Sequence, residues 1–244
     1  MSWSEGRMCG FDLETTGIDP ETARIVTACV VQVGGGRSPQ SRTWLSDVDG
    51  QPIPAEAAEV HGITTARARA EGTDLRQVVE EILGALSDAV LDGTPVVAMN
   101  ARYDLTLLDR EARRYGMAPL TERVGDRLCV IDPFVIDKRI DRYRRGTRKL
   151  SDLCRHYRVP LDGAHSADAD AVAAWRVAWR IGQVEPEIGA APLPFLHEKQ
   201  VEWAAEQAVS LAEYFARTPG KEHQAAGVRP EWPLIPAQEV RRDR

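Results

Sequence analysis

Four carboxylates and one imidazole, gathered in three short stretches, are the side chains of this sequence best equipped for chemistry. The stretches are Phe11-Asp12-Leu13-Glu14-Thr15-Thr16-Gly17, Asn100-Ala101-Arg102-Tyr103-Asp104 and His165-Ser166-Ala167-Asp168-Ala169-Asp170. Asp12 and Glu14 are two residues apart, so in a strand they project from the same face. Two carboxylates placed that way repel, and the repulsion raises one pKa. A bound cation removes the conflict, and hard oxygen donors favour Mg²⁺ or Mn²⁺ over zinc. A solvated strand end is the simpler alternative, but Asp12 lies between Phe11 and Leu13, where an unpaired carboxylate is costly. An imidazole of near-neutral pKa can take a proton from water, and two ions about 3.5–4 Å apart suit in-line displacement at phosphorus. The inventory fits phosphodiester hydrolysis without naming the polymer.

The elements that must position these residues follow from periodicity. Arg7 to Glu14 reads as a central strand, and Arg24 to Val33 and Arg37 to Leu45 as two more, joined by Gly34-Gly35-Gly36 into an antiparallel meander. Asp74 to Leu91 carries Leu75, Val78, Val79, Ile82, Leu83, Leu86 and Val90 at three- and four-residue spacing, an amphipathic helix with Thr73 as its expected N-cap. A strand over Thr94 to Met99 precedes a helix over Ala101 to Tyr115, which puts Asp104 in a first helical turn, where a lone aspartate ordinarily serves the helix dipole. A last strand is expected at Arg127 to Ile131. Helices are expected near Pro133 to Tyr143, Lys149 to Tyr157 and Ser166 to Ile181. In the last of these Asp170 shares a face with Ala167 and Ala174, whereas Asp168 lies about 200° away and reads as a surface charge. The pattern predicts an α/β fold with a mixed sheet flanked by helices.

Composition sets outer limits. The 244 residues suffice for one fair-sized domain with an appendage, and 43% apolar content is ordinary for a globular fold. No apolar run approaches the roughly 20 residues of a membrane span, and the first residues do not read as a secretory signal. Cys9, Cys29, Cys129 and Cys154 are scattered without a CxxC pair, as expected of reduced core cysteines in a cytoplasmic protein. The net charge of −6 argues against a protein that coats nucleic acid, but bound metal ions would alter the local balance.

The three acidic stretches, in type, order and spacing, resemble the three exonuclease motifs of the DnaQ-like DEDDh family, which includes the proofreading subunit of bacterial DNA polymerase III. Val60-His61-Gly62-Ile63 is similar to the family's VHGI segment, and Lys149 to Cys154 to the stretch before the third motif. The resemblance covers residues 5–182. It implies an RNase H-like fold with a five-stranded sheet and stepwise 3′→5′ release of nucleoside monophosphates. By resemblance, Asp12, Glu14, Asp104 and Asp170 are ligands of two Mg²⁺ or Mn²⁺ ions and His165 is the general base. Thr15, Val60, His61, Asn100 and Tyr103 match residues that hold the terminal nucleotide. Met99 departs from the pattern, in which a histidine commonly precedes the asparagine. Single-stranded DNA is the favoured substrate, with an RNA-trimming or oligoribonucleotide nuclease as one alternative and a polymerase-associated binding module as another. A DNA polymerase or repair partner would accompany such a role.

Two features lie beside or beyond the motifs. Lys138 to Lys149 places seven basic residues in twelve, including Arg144 and Arg145, and can track a phosphate backbone as well as form a solvated helix end. Residues 1–183 are expected to form the exonuclease domain and 184–244 an extension: a proline-rich connector, a helix from Leu196 to Arg217 and an irregular tail. Trp203, Leu211 and Tyr214 are expected to dock that helix on the domain or on a second copy in a homodimer.

Overall fold

The computed structural model describes residues 2–161 and 166–237. Three strands open the fold, β1 (Arg7–Thr15), β2 (Ile25–Gly34) and β3 (Gln40–Leu45), and two short ones follow, β4 (Val96–Val97) and β5 (Val130–Ile131). Their order is β3-β2-β1-β4-β5, with β1 antiparallel to β2 and parallel to β4. β1 is therefore central, as its apolar sequence requires. Gly34, Gly35 and Gly36 all have positive φ, which closes the β2–β3 turn without Cβ strain.

Alternation along β1 decides what each face does. Cys9, Phe11 and Leu13 enter the main core with helix α3 (Leu75–Leu91) and helix α4 (Ala101–Arg114), which follow the short helices α1 (Ala55–His61) and α2 (Thr65–Glu71). Burying Phe11 completely stabilises the fold by roughly 1.5–3 kcal/mol. The other face, carrying Gly10, Asp12 and Glu14, turns toward helix α8 (Ala167–Val184). Helices α5 (Leu120–Val124), α6 (Pro133–Ile140) and α7 (Leu150–Tyr157) lie between α4 and α8 in the chain.

The stretch expected as a proline-rich connector is largely helical: α8 runs to Val184 and α9 spans Pro186–Ala190, with proline at its first position, where no N–H is needed. Helix α10 (Leu193–Arg217) begins three residues earlier than expected, and α11 (Glu222–Ala225) follows. Leu196, Gln200, Ala204 and Ala208 of α10 are buried, so this helix docks on its own domain. Trp203 joins that contact, while Leu211 and Tyr214 remain exposed. The tail, expected to be irregular, contains α11, and its described residues beyond that helix are packed: Trp232 is buried, and the Ile235 amide donates to Thr106 Oγ1 at 2.9 Å. No helix among the described residues is long and apolar enough to cross a membrane. All four cysteines are unpaired.

Candidate active site

Asp12 and Glu14 leave the end of β1 just before a register shift at Glu14 and Thr15. Asp170 comes from the first turn of α8, and its approach depends on Gly10: a Cβ there would lie 2.7 Å from the carbonyl oxygen of Ala171 and 3.0 Å from Val31 Cγ1. With only hydrogen at that position, α8 seats directly on β1. One carboxylate oxygen from each of Asp12, Glu14 and Asp170 then lies within 4.8 Å of the others. Asp104 is buried beside them, and its Oδ1 accepts a hydrogen bond from the Leu13 amide at 3.2 Å.

Electrostatics records the crowding. Burial first, then the charges of Asp104, Asp170 and Glu14, hold the Asp12 carboxyl well above the usual carboxylate range. Burial and the charge of Asp170 push Glu14 up to about 7. Burial likewise raises Asp104, against backbone amides that favour its charged form. This donor set fits a divalent cation, because hard carboxylate oxygens converge where protons would otherwise have to relieve the repulsion.

Around the carboxylates the chain builds two clefts that share Glu14 and His61. One, of about 430 Å³, is walled by Thr15, Gly17, Ile18, Pro54, Ala57 and Val60. The other, of about 450 Å³, is lined by Trp44, Arg67, Ser166 and Asp168 among others. Val60 and His61 reach the first cleft because α1 ends at His61, with Gly62 at φ 74° as its left-handed stop. His61 Nδ1 accepts from the Ile63 amide at 3.1 Å, and its buried Nε2 has no hydrogen-bond partner among the described residues. Burial lowers its pKa, so the neutral ring is favoured.

Tyr103 and Thr15 tie the second motif to the first. Both hydroxyls donate to the carbonyl of Gly17, and they lie 2.6 Å apart. The Tyr103 phenol is pushed up to about 12, chiefly by burial, so it stays a donor. Asn100 is exposed at φ 58°, ψ 47°, and its side chain makes no capping bond. Asp132, a residue the sequence did not single out, does the capping instead. Its two oxygens accept the Asn100 and Ala101 amides, each at 3.0 Å, and also the Phe134 amide and Trp232 Nε1. Gln200 of α10 fastens the same segment, accepting from the Asp132 amide at 2.7 Å and donating to the Val130 carbonyl at 2.9 Å. No local pattern signals either residue, because their partners are distant in sequence. Ile18, 95% exposed at the cleft wall, was also passed over.

The remaining expected residues separate. His165 lies outside the described residues; Ser166, which follows it, lines the cleft with Glu14. Asp168 is exposed, as its helical phase predicts, but it does not point away from the site: it lines the cleft with Glu14 and His61. In the basic run, Arg144 and Arg148 both grip the buried Asp137, at 2.8 and 2.7 Å, so Arg144 is bound within the protein. Arg145 is exposed.

The profile of the RNase T exonuclease family matches residues 9–178. The chain belongs to that exonuclease family and is of its DnaQ-like DEDDh type. PolC-type DNA polymerase III of Mycoplasma pneumoniae is 27% identical over 173 residues, 68% of this chain and 11% of that protein. The PolC-type enzyme of Halalkalibacterium halodurans is 27% identical over 174 residues, 70% of this chain and 11% of the other. This exonuclease chain thus spans about a tenth of the length of those relatives. In fold it is similar to the zinc-bound complex of E. coli exonuclease I with single-stranded DNA: the TM-score is 0.66 at 17% identity, over 84% of this chain and 45% of that one. A product-bound exonuclease I gives a TM-score of 0.63 at 16% identity, over 85% and 48% of the two chains. The RNase H-like mixed sheet is therefore the family fold.

Proposed function

We propose that the chain is a metal-dependent 3′→5′ exonuclease that hydrolyses the terminal phosphodiester of single-stranded DNA and releases nucleoside 5′-monophosphates. The observation that carries this is the convergence of Asp12 and Glu14 of β1 with Asp170 of α8 within 4.8 Å, with Asp104 buried alongside. Family membership supports the reaction class, and the similarity in fold to exonuclease I solved in complex with single-stranded DNA supports the substrate.

Asp12, Glu14, Asp104 and Asp170 would hold two Mg²⁺ or Mn²⁺ ions. When bound, such ions polarise the phosphate, lower the pKa of water and stabilise the departing oxyanion. The chain's own side chains do the rest. Thr15, Val60 and His61 line the cleft that receives the terminal nucleotide, and the imidazole of His61 supplies a polar surface there. Tyr103 holds Thr15 and Gly17 in place. Asn100 contributes from the rim of α4. His165 accepts the proton of the attacking water, a role that its motif position supports. The PolC-type relatives favour a polymerase or repair context over RNA turnover.

The test uses 3′- and 5′-labelled DNA and RNA oligonucleotides, incubated with Mg²⁺, Mn²⁺ or EDTA. The proposal predicts immediate release of the 3′ label as mononucleotide and a shrinking 5′-labelled ladder, with DNA cut faster than RNA and nothing cut in EDTA. Activity in EDTA, or a ladder shrinking from the 5′ end, would remove it.

A further inference from the structure

A third recess, a groove of about 320 Å³, lies between the end of α6 with its following loop and the exposed side of α10. Its lining combines three cations, Lys138, Arg139 and Arg142, and three rings, Tyr143, Trp203 and Tyr214, with one acid, Glu206. Arg142 donates to Ser210 Oγ at 2.9 Å, and neither it nor Lys138 has a carboxylate within 4 Å among the described residues. Arg139 meets Glu206 only at 3.6 Å, between exposed side chains, where such a pair contributes little. The rings are accessible: Tyr143 is 84% exposed and Tyr214 54%. The Arg139 guanidinium sits 5.7 Å from the Trp203 ring and that of Arg142 5.6 Å from Tyr143, so the cations already lie against aromatic faces. On a chain of net charge −6, this concentration of positive charge selects a polyanion with flat groups.

The groove is tied to the active site through α6. α6 starts directly after Asp132, the residue that clamps Asn100 and Ala101. At 1.5 Å per residue, Lys138 is about 9 Å along the helix from that clamp. Its charge is close enough to oppose that of Arg102, the neighbour of Ala101 in the first turn of α4. Lys138 and Arg142 thus lie on the helix and loop that run from that clamp into the groove.

We propose that this groove holds the single strand a few nucleotides upstream of the end that enters the carboxylate site, with Lys138 and Arg142 on its phosphates and Tyr143 and Tyr214 on its bases. The placement rests on the exonuclease reading. It assigns the C-terminal helix a part in substrate binding that lies outside the family match to residues 9–178.

The test measures fluorescence anisotropy of 5′-labelled oligodeoxythymidines of three and twelve nucleotides, with full-length protein in which Asp12→Ala blocks hydrolysis. In that background the twelve-mer should bind at least about tenfold tighter than the three-mer, since stacking two bases and pairing phosphates both add affinity. Adding Arg142→Glu with Tyr143→Ala, both in an exposed loop, should bring the twelve-mer to within about threefold of the three-mer. Tyr214→Ala should remove part of the same increment. Circular dichroism and melting temperature establish that each variant is folded. If the two lengths bind equally, or the variants keep the full increment, the strand does not lie here and the groove is left to a protein partner. If neither oligonucleotide binds, the exonuclease reading itself fails and takes this placement with it.

Discussion

Replacing Gly10 by alanine should disable the metal site without touching a ligand. The new Cβ would lie 2.7 Å from the backbone oxygen of Ala171, whereas ordinary contact begins at 3.4 Å. Either strand or helix must recede by about 0.7 Å, and β1, paired on both sides, is the stiffer of the two. The far end of α8 is pinned by another close approach, Gly182 against Ser4, so the displacement concentrates at the end that carries Asp170. Overpacking costs roughly 1–3 kcal/mol, of which the conformational advantage of alanine over glycine in a strand returns about 0.5–1. The melting temperature should therefore fall by only a few degrees. Misplacement of about 1 Å can cost on the order of 100-fold in rate, so turnover should suffer far more than stability. Gly84→Ala in α3, where a Cβ meets nothing within 4 Å, is the control and should leave turnover unchanged. The assay is single-turnover hydrolysis of a labelled single strand, with Mn²⁺ affinity measured in parallel. A folded Gly10→Ala protein with wild-type turnover and metal affinity would refute the claim that this contact seats Asp170.

Other expectations follow from the same geometry. Glu14 is raised from its ordinary value to about 7, so the metal-free fold holds that proton more tightly than the unfolded chain and loses stability as pH rises from about 4.5 through 7. In EDTA, Glu14→Gln should melt above the wild type at pH 8 and no longer do so at pH 4; a difference independent of pH would contradict this. Metal affinity should run the other way, rising with pH through about 7 as protons leave the carboxylates, which titration calorimetry in two buffers would show. Gln200→Leu strands the buried amide of Asp132 and carbonyl of Val130, at about 1–3 kcal/mol for each group left unpaired. It should lower kcat through the Asn100 turn, an effect that vanishes if the C-terminal helix is only a support. Tyr103→Phe removes the hydroxyl held against Thr15 and Gly17 and should raise KM several-fold, at roughly 0.5–1.5 kcal/mol for the lost hydrogen bond, with less effect on kcat.

What the sequence disclosed depended on how local the cause was. β1 was legible because Phe11 and Leu13 alternate with Asp12 and Glu14, and α3 because its buried residues recur at helical spacing. The phase of α8 correctly set Asp168 on the surface. The cap of α3 was off by one: Asp74, not Thr73, accepts from Gln77. Helices α1 and α2 escaped notice because seven residues give too few turns for a periodic pattern, and α1 buries none of its residues. Yet α1 delivers Val60 and His61 to the cleft. β4 and β5 shrank to two residues each: Val96 and Val97 pair only with Cys9 and Gly10 of β1 on one side and with Val130 and Ile131 on the other. Asp132, Gln200 and Trp232 were illegible for a different reason. Each is ordinary in its own segment and acquires its role only when α10 and the tail fold back on the start of α4.

The most direct measurement of the central claim is Mn²⁺ binding followed by electron paramagnetic resonance in the full-length protein, with Asp12→Asn and Asp170→Asn beside it. Two ions per chain in the wild type, and loss of binding and of single-strand hydrolysis together in either variant, is the predicted result. Wild-type metal stoichiometry in both variants, or hydrolysis that survives without bound metal, would contradict a hydrolytic centre built from these carboxylates.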